Sequence, residues 1–373
     1  MKGFGYLVFA LFFNLSRILP VQSRKILLFN GHNHGLNGNL YEMKMELQKH
    51  QPDLKFYYLE KAMLFSGGIL KKLRGALYFF VCLPFHMATA KMVFFNDNFL
   101  PLAHCIPSKQ AQFVQLWHGA GAFKKFGLST ETDEKVKRYV QKANCRMTHL
   151  FVTSKKVISF YQEAFAIPAE RIYATGVPIT DIYSKTEEIK AGRERVYSAY
   201  PELKGKKLLL FTPTFRRTEE ENSALWNRLP LKEMTEVLGE EWRILLRVHP
   251  KFPPEQVPVV DGCLNVSVYP DVTDLYFAAD MLMTDYSSTV VEYCLLDRPI
   301  IMYAYDLEAY DRGFYRNYET TVPGPVAKEE SQLLKLLTEK EDSSEHRKAF
   351  RQMQHDFTDT HSAERIWNVL QES

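Results

Sequence analysis

The stretch Met281-Leu282-Met283-Thr284-Asp285-Tyr286-Ser287-Ser288-Thr289-Val290-Val291-Glu292-Tyr293-Cys294-Leu295-Leu296 decides the fold. It opens as a short apolar run, Met281–Thr284, passes through two serines and continues at helical period over Ser288–Leu295. A strand running straight into a helix is half of a βαβ unit. A helical pattern precedes it at Val272–Ala278 and a second apolar strand follows at Pro299–Tyr303. Strands separated by helices, with no hairpin turns, predict a parallel sheet covered on both faces.

The same alternation extends outward. Lys207–Thr212, Trp242–Val248 and Asn265–Tyr269 are the remaining strands of this series, and Ser331–Glu339 a further helix. An earlier series has strands at Lys25–Asn30, Leu54–Leu59, Met92–Asn96, Gln112–Trp117, His149–Thr153 and Arg171–Thr175, with helices such as Leu40–His50 and Asp133–Asn144. The charged stretch Lys185–Lys207, with Tyr200-Pro201 and Lys204-Gly205, separates the two. The expected architecture is α/β, two Rossmann-like domains facing a central cleft. The expected bounds are an N-terminal helix over 1–22, a first domain over 23–185, a second over 205–342 and polar C-terminal helices outside the sheets over 343–373.

Composition fits this reading. Of 373 residues, 46% are hydrophobic and 24% charged, which excludes disordered and collagen-like chains. The charge balance, 47 − 44 = +3, does not mark a nucleic-acid binder. Five scattered cysteines without a CxxC spacing argue against a structural zinc site and fit a reducing compartment.

Four clusters carry the candidate chemistry. His118 stands at the carboxyl end of a predicted strand, where open α/β sheets bind ligands, and is followed by Gly119, Gly121, Lys124, Lys125 and Gly127. Glycines let the backbone approach a ligand, the lysines supply charge, and an imidazole can take a proton from a hydroxyl. Arg247-Val248-His249-Pro250 ends another strand, and its Arg and His, on one side of an extended chain, suit a diphosphate. Asp285-Tyr286-Ser287-Ser288 opens a helix, which offers hydroxyls and N–H groups to an anion. Glu292, one turn on, would reach a ribose hydroxyl or pair locally. Thr212-Pro213-Thr214-Phe215-Arg216-Arg217 ends the first strand of the second series; Arg217 reads as a solvated charge. His32 and His34, lacking a third ligand nearby, read as loop residues rather than a metal site. There is no GxxxxGK[ST] loop, HExxH, GxSxG or DxD.

Two segments are membrane candidates. Phe4–Leu15 is apolar but too short to span a bilayer, and Lys2, Arg17, Arg24 and Lys25 flank it. It reads either as a helix lying in the membrane interface or as one packed on the domain. Leu70–Phe85, with Lys71, Lys72 and Arg74 beside Leu77-Tyr78-Phe79-Phe80-Val81, leaves the same two readings open, because its apolar positions do not settle on one stripe.

Taken together and in order, His118-Gly119…Lys125…Gly127, Thr212-Pro213-Thr214-Phe215-Arg216, Arg247-Val248-His249-Pro250 and Asp285-Tyr286-Ser287-Ser288 resemble the CDP-glycerol glycerophosphotransferases of wall teichoic acid synthesis. The run Asp297–Tyr310 followed by Arg312-Gly313-Phe314-Tyr315 resembles the stretch these proteins carry after the serine motif. The resemblance covers roughly residues 25 to 340. It implies a GT-B-like fold, peripheral attachment to the cytoplasmic face of the cell membrane, no cofactor and no metal. Polymerising members read His-Gly-Thr-Pro-Leu-Lys, whereas here Gly119-Ala120-Gly121-Ala122-Phe123-Lys124 follows His118, which is more like the glycerol-phosphate primase.

The implied reaction is transfer of glycerol phosphate from CDP-glycerol to a hydroxyl of an undecaprenyl-diphosphate-linked disaccharide, releasing CMP. The implied site is His118 and His249 as catalytic groups, with Lys124, Lys125, Thr212, Thr214, Arg216, Arg247, Asp285, Ser287, Ser288 and Glu292 binding substrate. A glycerol-phosphate polymerase or second-unit transferase, a GT-B glycosyltransferase using a nucleotide sugar, and a non-catalytic scaffold are the alternatives.

Overall fold

The structure, a computed structural model, describes residues 2–31, 35–61, 68–216, 218–310, 312–339 and 343–372. The readings of His32, His34 and Arg217 fall outside the described residues, as does the side chain of Lys2.

The chain divides into two compact units, 1–181 with 354–373, and 182–353. In the first, six parallel strands run in the order β2-β1-β3-β4-β5-β6. They are β1 (Gln22–Asn30), β2 (Lys55–Glu60), β3 (Ala90–Phe95), β4 (Gln112–Gln115), β5 (His149–Val152) and β6 (Ile172–Ala174). Residues 25–30 of β1 are all buried, as expected of a strand covered on both faces. The order reverses direction between β1 and β3, so the crevice for a ligand opens at the carboxyl ends of those two strands.

The second unit holds β7 (Lys207–Thr212), β8 (Trp242–Leu246), β9 (Cys263–Asn265), β10 (Met281–Thr284), β11 (Ile300–Tyr303) and β12 (Val326–Ala327). Their order is β12-β11-β10-β7-β8-β9, all parallel, with the reversal between β7 and β10. Gly324 is needed before β12, because a Cβ there would lie 1.9 Å from the Ile300 carbonyl oxygen.

Three sequence expectations change. The strand expected at Asn265–Tyr269 forms earlier, at Cys263–Asn265, and Val268 is exposed. β12 follows the expected last strand. The C-terminal segment is two helices, Ser344–Gln354 and Ser362–Gln371, and the second is not outside the sheets. Its Ile366, Trp367 and Leu370 are buried against Ile26, Leu28 and Leu47 of the first unit. A narrow apolar stripe on a polar helix is enough to dock it, at about 1.5–3 kcal/mol per buried side chain.

The helix Lys2–Ser16 packs one stripe on the first unit and leaves the other exposed. Phe9, Ala10 and Phe13 are buried, with Phe9 against Phe79 and Phe99. Phe4, Leu7, Leu11 and Leu15, on the opposite stripe, are exposed. Lys25 does not serve a headgroup: it is 2% exposed, donates to Thr89 Oγ1 at 2.7 Å and lies against the rings of Tyr57 and Phe85. Burial pulls its pKa down to about 8. Arg24 pairs with Asp53 at 2.8 Å.

Residues 69–88 show why their apolar stripe could not be read from the sequence. The α-helix Ile69–Leu77 exposes Ile69, Leu70, Leu73 and Leu77 beside exposed Lys71, Lys72 and Arg74. A π-helical turn, Tyr78–Cys82, then shifts the register, and Leu83–Ala88 buries Leu83, Pro84 and Met87. Among the described residues no helix is long and apolar enough to cross a membrane.

Candidate active site

In the first unit, β4 ends at Gln115 and the chain turns sharply at Trp117, whose φ of 58° is in the left-handed region. A bulky residue there is strained and needs outside support. Two amides give it: Gln115 Oε1 accepts from the Trp117 N–H at 2.9 Å, and Asn39 Nδ2 donates to its carbonyl at 3.1 Å. The Trp117 ring lies 4.0 Å from the His118 ring, centroid to centroid.

His118, half-buried, places Nδ1 3.0 Å from the carbonyl oxygen of Asn96, just beyond β3. A carbonyl only accepts, so Nδ1 carries the proton and Nε2 of the neutral ring keeps the basic lone pair. The Asn96 side chain is fixed in turn, accepting from Gly31 N at 2.9 Å and donating to Asn30 Oδ1 at 2.8 Å. His118 is thereby tied to the β1–β3 reversal through backbone and buried amides. Lys124 and Lys125 are half-buried on the loop that follows.

In the second unit, Thr212, Thr214, Asp285, Ser287 and Ser288 all fall at the carboxyl ends of β7 and β10, the reversal point. Asp285 is 1% exposed; its Oδ1 accepts from Thr214 N at 2.8 Å and its Oδ2 from Arg216 Nη1 at 2.8 Å. Arg216 also donates Nε and Nη2 to the two oxygens of Asp306, at 2.8 and 2.9 Å, and Nη1 to the Thr214 carbonyl. Its guanidinium lies 5.1 Å from the Tyr286 ring centroid, and Tyr286 OH donates to Asp306 at 2.8 Å. Burial opposes the Arg216 charge, but Asp285 and Asp306 more than reverse this and raise its pKa. Arg216 and Asp285 thus spend their hydrogen bonds on each other and on the loop, which makes them posts that hold Thr214 in place.

The buried hydroxyls of Thr212 and Thr214 have no hydrogen-bond partner among the described residues. Buried hydroxyls of this kind are uncommon, and both lie at this edge. Ser287 is half-buried; its Oγ meets Thr289 Oγ1 at 2.7 Å and accepts from Thr289 N at 3.3 Å. Ser288 is exposed. The helix that follows is only Thr289–Tyr293, shorter than the expected Ser288–Leu295, so its dipole is weak and the polar groups offered at this turn are hydroxyls and loop N–H groups. Glu292 accepts from Tyr183 OH at 3.1 Å, and burial raises its pKa.

Arg247 and His249 diverge, because β8 ends at Leu246 and side-chain alternation stops with it. Arg247 turns toward the β9 side and donates Nη1 to the carbonyls of Val266 and Tyr269, at 3.1 and 2.7 Å. Burial lowers its pKa. His249 is exposed and lies on the β7 side, 5.4 Å from Phe215 between ring centroids. Its Nδ1 accepts from the Lys251 N–H at 3.1 Å, so in the neutral ring Nε2 carries the proton. The two histidines therefore present opposite faces of the same chemistry: Nε2 is an acceptor in His118 and a donor in His249.

Residues 11–372 match the family described as CDP-Glycerol:Poly(glycerophosphate) glycerophosphotransferase. The chain belongs to this family. Among curated relatives of the glycerophosphotransferases, it is 31% identical over 361 residues to the teichoic acid poly(ribitol-phosphate) polymerase of Bacillus spizizenii W23, covering 95% of this chain and 57% of that protein. It is 31% identical over 371 residues to the teichoic acid ribitol-phosphate primase of the same strain, covering 95% of this chain and 93% of the primase. To the teichoic acid glycerol-phosphate primase of Bacillus subtilis 168 it is 29% identical over 309 residues, 77% of each. It thus spans little more than half of the polymerase but nearly all of the ribitol-phosphate primase.

The wall teichoic acid polymerase TagF has a TM-score of 0.77 to this chain at 21% identity, covering 99% of this chain and 93% of that one. The glycerophosphotransferase fold is GT-B-like, with two Rossmann-type sheets. The sequence reading missed Asn96, Gln115, Asn39 and Asp306. An Asn or Gln at a predicted strand end is a weak signal, and nothing in the sequence says that Asp306 meets Arg216, 90 residues away.

Proposed function

We propose that the chain transfers glycerol phosphate from CDP-glycerol to a hydroxyl of a lipid-linked disaccharide, with CMP as the leaving group. The acceptor oxygen forms a bond to the glycerol-bearing phosphorus, and the bond from that phosphorus to the CMP phosphate oxygen breaks. His118 Nε2 takes the hydroxyl proton. His249 Nε2–H and the hydroxyls of Thr212, Thr214, Ser287 and Ser288 serve the diphosphate, and Arg247, Lys124 and Lys125 are assigned to supply positive charge to the substrate. Arg216 and Asp285 hold Thr214, and Glu292 is assigned to the nucleoside.

The observation that carries this reading is the His118 hydrogen bond to the Asn96 carbonyl, which sets the ring as a base. Support for priming comes from the Gly119-Ala120-Gly121-Ala122 run. A second reading, with ribitol phosphate as the transferred group, is supported by the longer matches of the ribitol-phosphate relatives, which cover 95–96% of this chain against 60–77% for the glycerol-phosphate ones at similar identity.

The test is nucleotide release, CMP from CDP-glycerol or CDP-ribitol and UDP from UDP-sugars, with a short-chain lipid-disaccharide acceptor and the product mass measured. One added glycerol phosphate is expected. A ribitol adduct selects the second reading, a ladder selects a polymerase, and no CMP from either CDP-polyol rejects both donor readings.

Attachment to a membrane surface rests on the exposed stripe Phe4, Leu7, Leu11, Leu15 and on Ile69, Leu70, Leu73, Leu77 with their basic neighbours. Apolar side chains beside Lys and Arg suit the interface of anionic lipids, which fits the cytoplasmic face of the cell membrane.

A further inference from the structure

We propose that Gln354 is a positioning residue for the loop that carries His118, so that the C-terminal segment completes the acceptor-side half of the site. Gln354 closes the helix Ser344–Gln354 and is 2% exposed. Its Oε1 accepts from the Ala122 N–H at 2.8 Å and its Nε2 donates to the Ala122 carbonyl at 3.4 Å, across 232 residues of sequence. A primary amide thereby pairs with both the N–H and the C=O of one residue, as a neighbouring strand would. The preceding residue is held the same way. The Gly121 N–H donates to Thr153 Oγ1 at 3.1 Å, and Tyr161 OH donates to the Gly121 carbonyl at 2.9 Å.

Gly121 has a φ of 58° and residues 119–123 lie in no helix or strand, the loop holding only a single bridge residue at Lys124 and a 3-10 turn from Gly127, so no ladder fixes the segment around Gly121. Side chains do so instead, midway between His118 and Lys124. The segment bearing Gln354 is itself anchored to this unit. Asp356 accepts from Ser154 Oγ at 2.8 Å and from Lys155 N at 2.7 Å, and Asp181 accepts from Ser362 N at 3.0 Å. Buried polar groups paired across distant segments in this manner rigidify what they touch. A base must be held close to its productive geometry, and a displacement of about 1 Å costs on the order of 10²-fold in turnover.

This inference rests on His118 acting as the base, and two measurements on the full chain separate its failure from the failure of that reading. Gln354→Met keeps the side-chain length and packing and deletes both hydrogen bonds. Amide hydrogen exchange is followed in the peptide spanning 117–127, and CMP release is followed with CDP-glycerol and the lipid-disaccharide analogue. Exchange in that peptide is expected to rise while the rest of the sheet is unchanged. Turnover is expected to fall about 10- to 100-fold with the KM for CDP-glycerol unchanged.

In a His118→Ala background the same substitution is expected to cost nothing further, because the two residues act as one unit. Unchanged exchange, or a loss of equal size in the His118→Ala background, overturns the proposal. If the wild-type chain releases no CMP from any donor, the functional reading fails, and the exchange result still decides whether Gln354 holds the loop.

Discussion

Arg216→Met separates a structural post from a phosphate ligand. The wild-type guanidinium makes three hydrogen bonds of 2.8 to 2.9 Å to the carboxylates of Asp285 and Asp306 and one to the Thr214 carbonyl. Methionine preserves much of the buried volume but leaves the Asp285 carboxylate, 1% exposed, without its cation. Removing one partner of a buried ion pair costs about 3–5 kcal/mol, most of it the desolvation of the charge left behind. For a unit of roughly 150–250 residues each kcal/mol shifts Tm by about 2–4 °C, so the second unit is expected to melt about 6–20 °C lower. Scanning calorimetry on the full chain reads this directly. Adding Asp285→Asn is expected to recover part of the loss by removing the stranded charge. A Tm within about 2 °C of wild type, together with weakened CDP-glycerol binding, would refute the argument and return Arg216 to the role of a ligand-binding cation.

Other outcomes follow from the same geometry. His249→Ala is expected to weaken CDP-glycerol binding about tenfold, the loss of one charge-assisted hydrogen bond of about 1.5 kcal/mol, and calorimetric titration that gives the wild-type Kd would contradict it. His149 is 4% exposed, stacked on the rings of Phe151 and Tyr173, and burial followed by the nearby Arg171 pulls its pKa from 6.5 to about 4. Between those values the unfolded chain is protonated and the folded one is not, so stability falls as pH drops from 6.5 toward 4, by up to about 3 kcal/mol. Urea denaturation of His149→Phe is expected to show a shallower pH slope in that window; an unchanged slope would sink the assignment. Replacing Leu11, Leu70 and Leu73 together by Glu is expected to reduce binding to anionic vesicles more than tenfold, since each buried leucine is worth about 1.5–3 kcal/mol. Wild-type sedimentation with those vesicles would count against the membrane face.

Much of this architecture is legible in the chain because parallel strands buried on both faces read as apolar runs, as Leu208–Phe211 and Ile26–Phe29 do. Strand ends then mark where an open α/β sheet binds ligands, which is why His118 and the Asp285–Ser288 turn stand out as candidates without a structure. The misplaced β9 shows the limit. An edge strand of two half-exposed residues and an exposed Asn265 carries less apolar signal than the Val266–Tyr269 segment beside it, although Val268 points to solvent. The docking of Ser362–Gln371 was hidden because four buried apolar side chains, Ala363, Ile366, Trp367 and Leu370, suffice to hold a helix whose other faces are polar. The paired roles of Arg216 and Gln354 depend on contacts 90 and 232 residues apart, which no local pattern encodes. An arginine after Thr-Pro-Thr-Phe looks the same whether it meets phosphate or aspartate.

The most direct test is single-turnover CMP formation by wild-type chain and by His118→Ala, at saturating CDP-glycerol and lipid-disaccharide analogue, alongside the CDP-glycerol Kd of each. Removal of the base is expected to slow the step by about 10²-fold or more while the Kd stays the same. A variant that forms CMP at the wild-type rate would contradict the assignment of the acceptor proton to His118.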